Sequence, residues 1–424
     1  MSRTHSHAVP APTSAGPNAT APDVTTLIRA LRSWLEDQRY VSYDPYDGLT
    51  SQLLHPLFRH PLLARVCLQT VKRSPLNLRP VLGIRKRLYT KSLSDLVSAQ
   101  LLLFRLDADV RDRDRALGLL DQLRGRMLPG HPGSSWGMDL PYVSRFVTAT
   151  PATPNLFQTV NAAVALLDAY DVTGEVFDLD LALGVVEFLE HGLGMVEESS
   201  DHVVWRYYPG KDTVVYNVNA LVGSLLARLA KCAAREDLAR LAERTIAFVL
   251  LEQNADGSWF YARGPQGCWI DGFHTGYVLE ALLEYARITG SPAAAGALER
   301  GADFFRQHLL EPSGLPRYTE RSLHPIDVQN CAQAVQLLSK LALSDRSWLP
   351  WAEHALASSA QHLLIWSGPR DAPRARFRLQ RGRWFRNDLP AIRWGQAPML
   401  LALAWLHAAQ HGLTDPSSGR TPAG

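Results

Sequence analysis

A chain of 424 residues, 46% of them hydrophobic, has material for one large or two ordinary core-bearing domains. Its formal charge of +3 leaves no nucleic-acid footprint, and no apolar run reaches the ~18 residues of a membrane span. Cys67, Cys232, Cys268 and Cys331 lack CxxC or disulfide-framework spacing, which points to a reducing compartment, the cytoplasm. In chain order, residues 1–23 are rich in Pro, Ala, Ser and Thr without a hydrophobic signal core. They read as a disordered tail, as do 413–424, around a single domain at 24–412. The first helix is predicted from Val24, where Leu27, Ile28, Leu31, Trp34 and Leu35 share a face. A turn-rich YDPYDGL follows at 43–49, and 51–91 breaks into short helices at Pro56, Pro61, Pro75 and Pro80. Basic residues cluster at Lys72–Arg87 and Arg374–Arg386. They are either solvated loops or contacts for an anionic substrate or partner.

From residue 92 one pattern recurs. Segments 92–106, 155–174, 214–233, 271–290, 324–343 and 392–412 are rich in small residues and apolar on most faces, as helices packed on both sides are. Amphipathic partners follow at 113–128, 178–193, 235–253, 293–309 and 347–365. A period of about 55 to 65 residues marks a helical-hairpin repeat, and one hairpin cannot bury its apolar face alone. The expectation is an all-α, six-hairpin (α/α)6 toroid of the glycosidase-like kind, with the Val24 helix as sixth outer element. An open superhelix is the alternative. No alternation is long enough for a sheet, although the Trp205–Tyr208 and Phe377–Phe385 loops can form small hairpins.

The densest chemistry lies in QNADGSWFYARGPQGCWIDGFHTG, Gln253 to Gly276. More broadly, polar residues gather at the N-terminal ends of the inner helices. These are Asn155 and Gln158; Asn217 and Asn219; Asp271, His274 and Tyr277; Asp327, Gln329 and Gln333; Arg393, Trp394 and Gln396. In a toroid those ends share one mouth, each with unpaired N–H groups and a positive dipole end. Long loops bring Trp136, Asp139, Trp259, Trp269, Arg317 and Tyr318 to it. Asp271 and Asp327 fit an acid and a base for glycoside hydrolysis. His274 and Tyr277, three apart on one helix face, fit proton abstraction and return in a lyase or epimerase. Both aspartates are equally ordinary helix N-caps. The amides, arginines and aromatic faces are candidates for holding a sugar. No phosphate-cradling glycine loop is present, and no metal or cofactor is expected.

Two resemblances add to this. RTIAFVLLEQNADGSWF, 244–260, resembles the QW repeat of triterpene cyclases and prenyltransferase relatives at Gln253, Gly257 and Trp259. It occurs once and without the cyclases' DxDD acid motif, so it implies the toroid and not terpene chemistry. More broadly, residues 40 to 410 resemble the VpsJ-like proteins found with bacterial exopolysaccharide biosynthesis. The carriers are YDPYDGL, KRSPLNLRPVLGIRK, DGSW, WIDGFHTGY, HPIDVQNCAQAV and RWGQAPM. The chain departs from that pattern at Gly272 and Val328–Gln329, where Asn and Ile–His are expected. The resemblance implies a part in making a surface polysaccharide and fixes no reaction. The expected role is binding of a glycan or sugar-lipid precursor, with hydrolase, lyase or epimerase activity, and the expected partners are other polysaccharide-biosynthesis proteins. A non-catalytic glycan-binding or scaffold subunit and an isoprenoid-handling toroid are the alternatives.

Overall fold

The computed structural model describes residues 22–412 except 75, 145 and 146; the expected tails, residues 22 and 23 apart, lie outside the described residues. The first helix starts at Val24, and the Asp23 carboxylate caps it by accepting from Thr26 N at 2.7 Å. The helices are α1 (Val24–Asp37), α2 (Pro61–Arg73), α3 (Thr90–Asp107), α4 (Val110–Arg124), α5 (Leu156–Thr173), α6 (Val176–Glu187), α7 (Tyr216–Ala233), α8 (Glu236–Leu251), α9 (Gly272–Thr289), α10 (Pro292–His308), α11 (Val328–Ser344), α12 (Leu349–Leu363) and α13 (Ala397–Gln410).

Helices α3, α5, α7, α9, α11 and α13 pack side by side, and α13 returns to α3, so the ring closes. Each of α4, α6, α8, α10 and α12 packs on the inner helix before it, and α1 packs on α13. The fold is an (α/α)6 toroid, not an open superhelix. Local chemistry sets its hand-over points. Inner helices α3, α5, α7 and α9 end on a left-handed residue, Ala108, Gly174, Ala234 and Gly290. The next residue is extended and starts the outer helix, with Asp109 and Ser291 supplying side-chain caps. Two-residue turns therefore close one end of every such hairpin, and all long loops fall at the other end, above the inner helices' N-termini.

Those loops carry short antiparallel pairings: 142–143 with 148–149, 195–198 with 203–205, 364–367 with 374–377, and 326–327 and 386–387 on either side of 380–381. Hairpins thus form near Trp205 and Phe377, with different limits from those expected. The QW-like residues staple outer helices together. Gln253 Nε2 donates to Ala297 O of α10 at 2.9 Å, and Trp259 Nε1 donates to Val249 O of α8 at 2.8 Å. Gly257 has φ +89°, and a Cβ there would meet Arg300 O at 2.5 Å. Trp136 repeats the device on α4, donating to Leu123 O at 2.9 Å.

Candidate active site on the toroid axis

Each inner helix turns one stripe of side chains toward the axis, at the three-to-four-residue spacing of a helix face. On α9 the stripe is Tyr277, Glu280, Glu284 and Arg287; on α11 it is Gln329, Gln333, Gln336 and Lys340; on α3 it includes Lys91, Asp95 and Ser98. Together with side chains from α5, α7 and α13 they line a cavity of about 260 Å³. Its lining is polar at the centre. Glu280 accepts from Gln336 Nε2 at 2.7 Å and also from Gln333 Nε2 and Lys340 Nζ. Asp95, paired with Lys91, feels Glu280: burial pushes its carboxyl up, Lys91 opposes that, and the Glu280 charge adds to the rise. Lower down, Arg228 bridges Asp168 and Asp171, both at 2.8 Å, and Asp168 accepts from Ser98 Oγ at 2.5 Å.

Above the cavity the mouth is rimmed with phenols. Burial pushes Tyr142, Tyr207 and Tyr261 up, helped at Tyr142 and Tyr261 by neighbouring phenols and opposed at Tyr207 by a hydrogen bond with Asn155, so all stay neutral donors. Tyr318 is raised by burial and by the nearby carboxylates of Asp327 and Asp271. Tyr277 stands between rim and cavity. Burial and the charges of Asp95 and Glu280 raise its phenol, against a hydrogen bond with Gln329.

One helical turn toward the mouth, His274 Nδ1 lies 2.7 Å from Asp271 Oδ2, while Asp271 Oδ1 accepts from His274 N at 2.8 Å. A carboxylate there holds the proton on Nδ1 and turns Nε2 into the ring's lone-pair nitrogen. The imidazole is boxed by Tyr261, Trp269 and Phe273, at ring-centroid distances of 4.5, 5.4 and 4.0 Å. Trp269 stacks on Tyr261 at 4.4 Å and is 38% exposed, an aromatic face turned to solvent. Gly272 lets this turn pass its neighbour: a Cβ there would meet Asn330 Oδ1 at 2.2 Å, so the asparagine expected at 272 has no room.

The structure brings Asp271, His274, Tyr277, Gln329, Gln333, Tyr318 and Trp269 around this mouth and ties most of the other candidates to structural partners. Asp327 is consumed as a cap, accepting from Gln329 N at 2.9 Å, Asn330 N at 3.3 Å and Gln380 Nε2 at 2.7 Å. Trp136 and Trp259 are sealed in the core by their indole bonds and offer no stacking surface. Gln396 is spent on the Phe377 backbone, with both bonds at 2.8 Å. Arg393 is 1% exposed, paired with Asp44 at 3.2 Å and bonded to Met138 O at 3.1 Å. With Arg79, which holds Asp47 at 2.7 Å, it ties segment 43–49 to the start of α13. Asp139 caps α3 by accepting from Thr90 N at 2.7 Å, and Arg317 pairs with Glu311 at 2.5 Å. Trp394 is half-buried beside Tyr46, at 6.2 Å. Asn217 is buried, and its Oδ1 has no partner among the described residues.

Sequence reasoning missed Lys91 and Asp95, in the first two turns of α3, and Glu280 and Lys340, further along α9 and α11. The available signal was a charge on a helix that is otherwise apolar on most faces.

No protein-family model matches the chain, and no curated protein does. Solved structures do. Cellobiose 2-epimerase from Bacillus thermoamylovorans aligns with a TM-score of 0.62 at 11% identity, over 91% of this chain and 100% of that one. The GH76 alpha-mannanase of Bacteroides thetaiotaomicron aligns at 0.57 and 12%, over 76% and 86%. An unsaturated glucuronyl hydrolase specific for heparin aligns at 0.55 and 13%, over 77% and 89%. At such identities the likeness is one of fold.

Proposed function

We propose that the chain is a carbohydrate-active enzyme whose toroid mouth takes a glycan or glycan precursor for acid–base chemistry. The observation that carries the reading is the Asp271–His274 pair, an imidazole oriented by a carboxylate inside an aromatic box. It stands one turn above a neutral phenol, Tyr277, at the entrance to a polar cavity. Aromatic faces suit the apolar face of a sugar ring, and the amides Gln329 and Gln333 suit its hydroxyls. In this reading His274 Nε2 takes a proton, from a sugar carbon in elimination or epimerisation and from water in hydrolysis, and Tyr277 donates one. That assignment covers hydrolysis, elimination and epimerisation. The fold neighbours, among them an epimerase and two glycosidases, support the substrate class.

A place in exopolysaccharide assembly rests on the VpsJ-like motifs, and a cytoplasmic setting on cysteine usage alone. A non-catalytic glycan-binding or scaffold subunit is the second reading, favoured by Glu280, whose carboxylate already has three donors from α11. The charged lining of the cavity weighs against an isoprenoid pocket. The test is to assay wild type and His274→Ala on a panel of oligosaccharides, with binding measured in parallel. Turnover lost with binding kept supports the enzyme; binding without wild-type turnover on any of the panel supports the second reading; no binding to any of the panel removes both.

A further inference from the structure

Residues 48–94 contain no Asp or Glu, yet hold nine Lys or Arg: Arg59, Arg65, Lys72, Arg73, Arg79, Arg85, Lys86, Arg87 and Lys91. Arg79 and Lys91 are neutralised by Asp47 and Asp95, and Lys72 bonds the Tyr46 hydroxyl at 2.9 Å. Among the described residues the other six form no ion pair, and Arg59, Arg73, Arg85, Lys86 and Arg87 are exposed. The same stretch carries an unusual share of exposed apolar side chains. Helix α2 buries Ala64, Leu68 and Val71 against Leu49 and its surroundings, and turns Leu62, Leu63 and Val66 outward. Leu62 is 77% exposed, Val81 76% and Leu76 69%. The Ser51 hydroxyl donates to Leu82 O at 2.7 Å, which ties the loop bearing Val81 to the segment bearing Leu53. Exposed leucines and valines gathered in one segment mark an interaction site, where singly scattered ones need no explanation.

We infer that α2 and its flanking loops dock the protein on an anionic lipid surface, apolar side chains entering the headgroup boundary and unpaired arginines meeting lipid phosphates. Charge decides among occupants. A second copy of this chain would bring the same excess of positive charge to the contact, and a neutral apolar partner would leave the arginines unanswered. An anionic bilayer answers both features. The helices of the described residues include none long and apolar enough to cross a membrane, so the contact is a peripheral one. Position adds a consequence. Lys72 of α2 bonds Tyr46, whose ring lies 5.7 Å from the rim phenol Tyr142, so α2 lies at the mouth end of the toroid. If the carbohydrate reading holds, docking would turn that mouth toward a sugar carried on a lipid.

The experiment uses the full chain and sugar-free vesicles of phosphatidylcholine, with or without phosphatidylglycerol, in a cosedimentation assay at low and high salt. Docking is thereby tested apart from any carbohydrate, and its failure would leave the preceding proposal standing. The wild-type chain is expected to bind the anionic vesicles, to bind neutral ones weakly, and to release in salt. Leu62→Ser/Val66→Ser and Arg73→Gln/Arg85→Gln are each expected to weaken binding by about tenfold or more. All four side chains are exposed, and an unchanged melting temperature will show that the fold is intact. Absence of wild-type binding, equal binding to neutral vesicles, or binding that neither double variant alters would overturn the proposal. So would a concentration-dependent dimer in solution that Leu62→Ser/Val66→Ser abolishes.

Discussion

Asp271 serves His274 twice: one carboxylate oxygen takes the backbone amide of residue 274 at 2.8 Å and the other takes its ring Nδ1 at 2.7 Å. Capping and ring orientation are thus fixed by a single side chain. A cap alone would leave the ring free to turn. Here the first turn of α9 holds both the helix end and a ready lone pair.

This double role can be taken apart. Asp271→Asn keeps an acceptor for the amide but can present an N–H to Nδ1, which reverses the tautomer. Turnover on an accepted oligosaccharide is expected to fall by about 10²- to 10⁴-fold, with a stability change within about 0.5 kcal/mol. Asp271→Ala should lose the cap as well, at a cost of about 1 kcal/mol in denaturant unfolding. Equal kinetics for wild type and Asp271→Asn would mean that the pair is structural only.

Trp259 and Trp269 sit ten residues apart and do opposite things. Trp259→Phe should destabilise the fold by about 1–2 kcal/mol through its lost bond to Val249 O and leave oligosaccharide affinity unchanged. Gly301→Ala should act the same way, because a Cβ there meets Leu279 Cδ2 at 2.6 Å and Trp259 Cζ3 at 2.8 Å. Trp269→Ala should instead leave unfolding nearly unaltered and weaken sugar binding by about tenfold. Titration calorimetry beside thermal melts reads both.

Lys340 is the ionic partner of Glu280 in the cavity wall. Lys340→Met leaves a nearly buried carboxylate with amide donors only. A loss of about 2 kcal/mol is expected, short of the full cost of an unpaired buried charge because Lys340 is partly exposed. Chemical denaturation of wild type and variant side by side checks this.

Asp47 gives a pH signature in stability. Burial pushes its carboxyl up to about 6, against the pull of Arg79. A folded-state value above the unfolded ~3.9 means that the native chain holds the extra proton between the two. Stability from this group is therefore greatest in acid and falls as pH rises from about 4 to about 6, by on the order of 2–3 kcal/mol. Asp47→Asn should remove that slope. The readout is the wild-type minus variant unfolding free energy across this range, since other carboxylates cancel in the difference.

The repeat of apolar and amphipathic segments was enough to determine six hairpins and their order, because helix periodicity and small-residue packing are local in origin; closure, against an open superhelix, was decided by the packing of α13 on α3. Asp271, Asp327 and Asn155 stand at helix starts for the same local reason. The fate of each polar side chain was settled elsewhere. Arg393 and Gln396 look like ligand groups in the string RWGQAPM, yet Asp44 and the Phe377 backbone claim them from distant parts of the chain. Trp136 and Trp259 look like stacking surfaces, yet each turns back onto the outer helix it follows. Glu280 and Lys340 lie sixty residues apart on neighbouring helices, and only the packing of α9 on α11 brings them together. Sequence sets which face of a helix is apolar; which polar group finds a partner and which stays available depends on distances between segments, and those exist only once the toroid has closed.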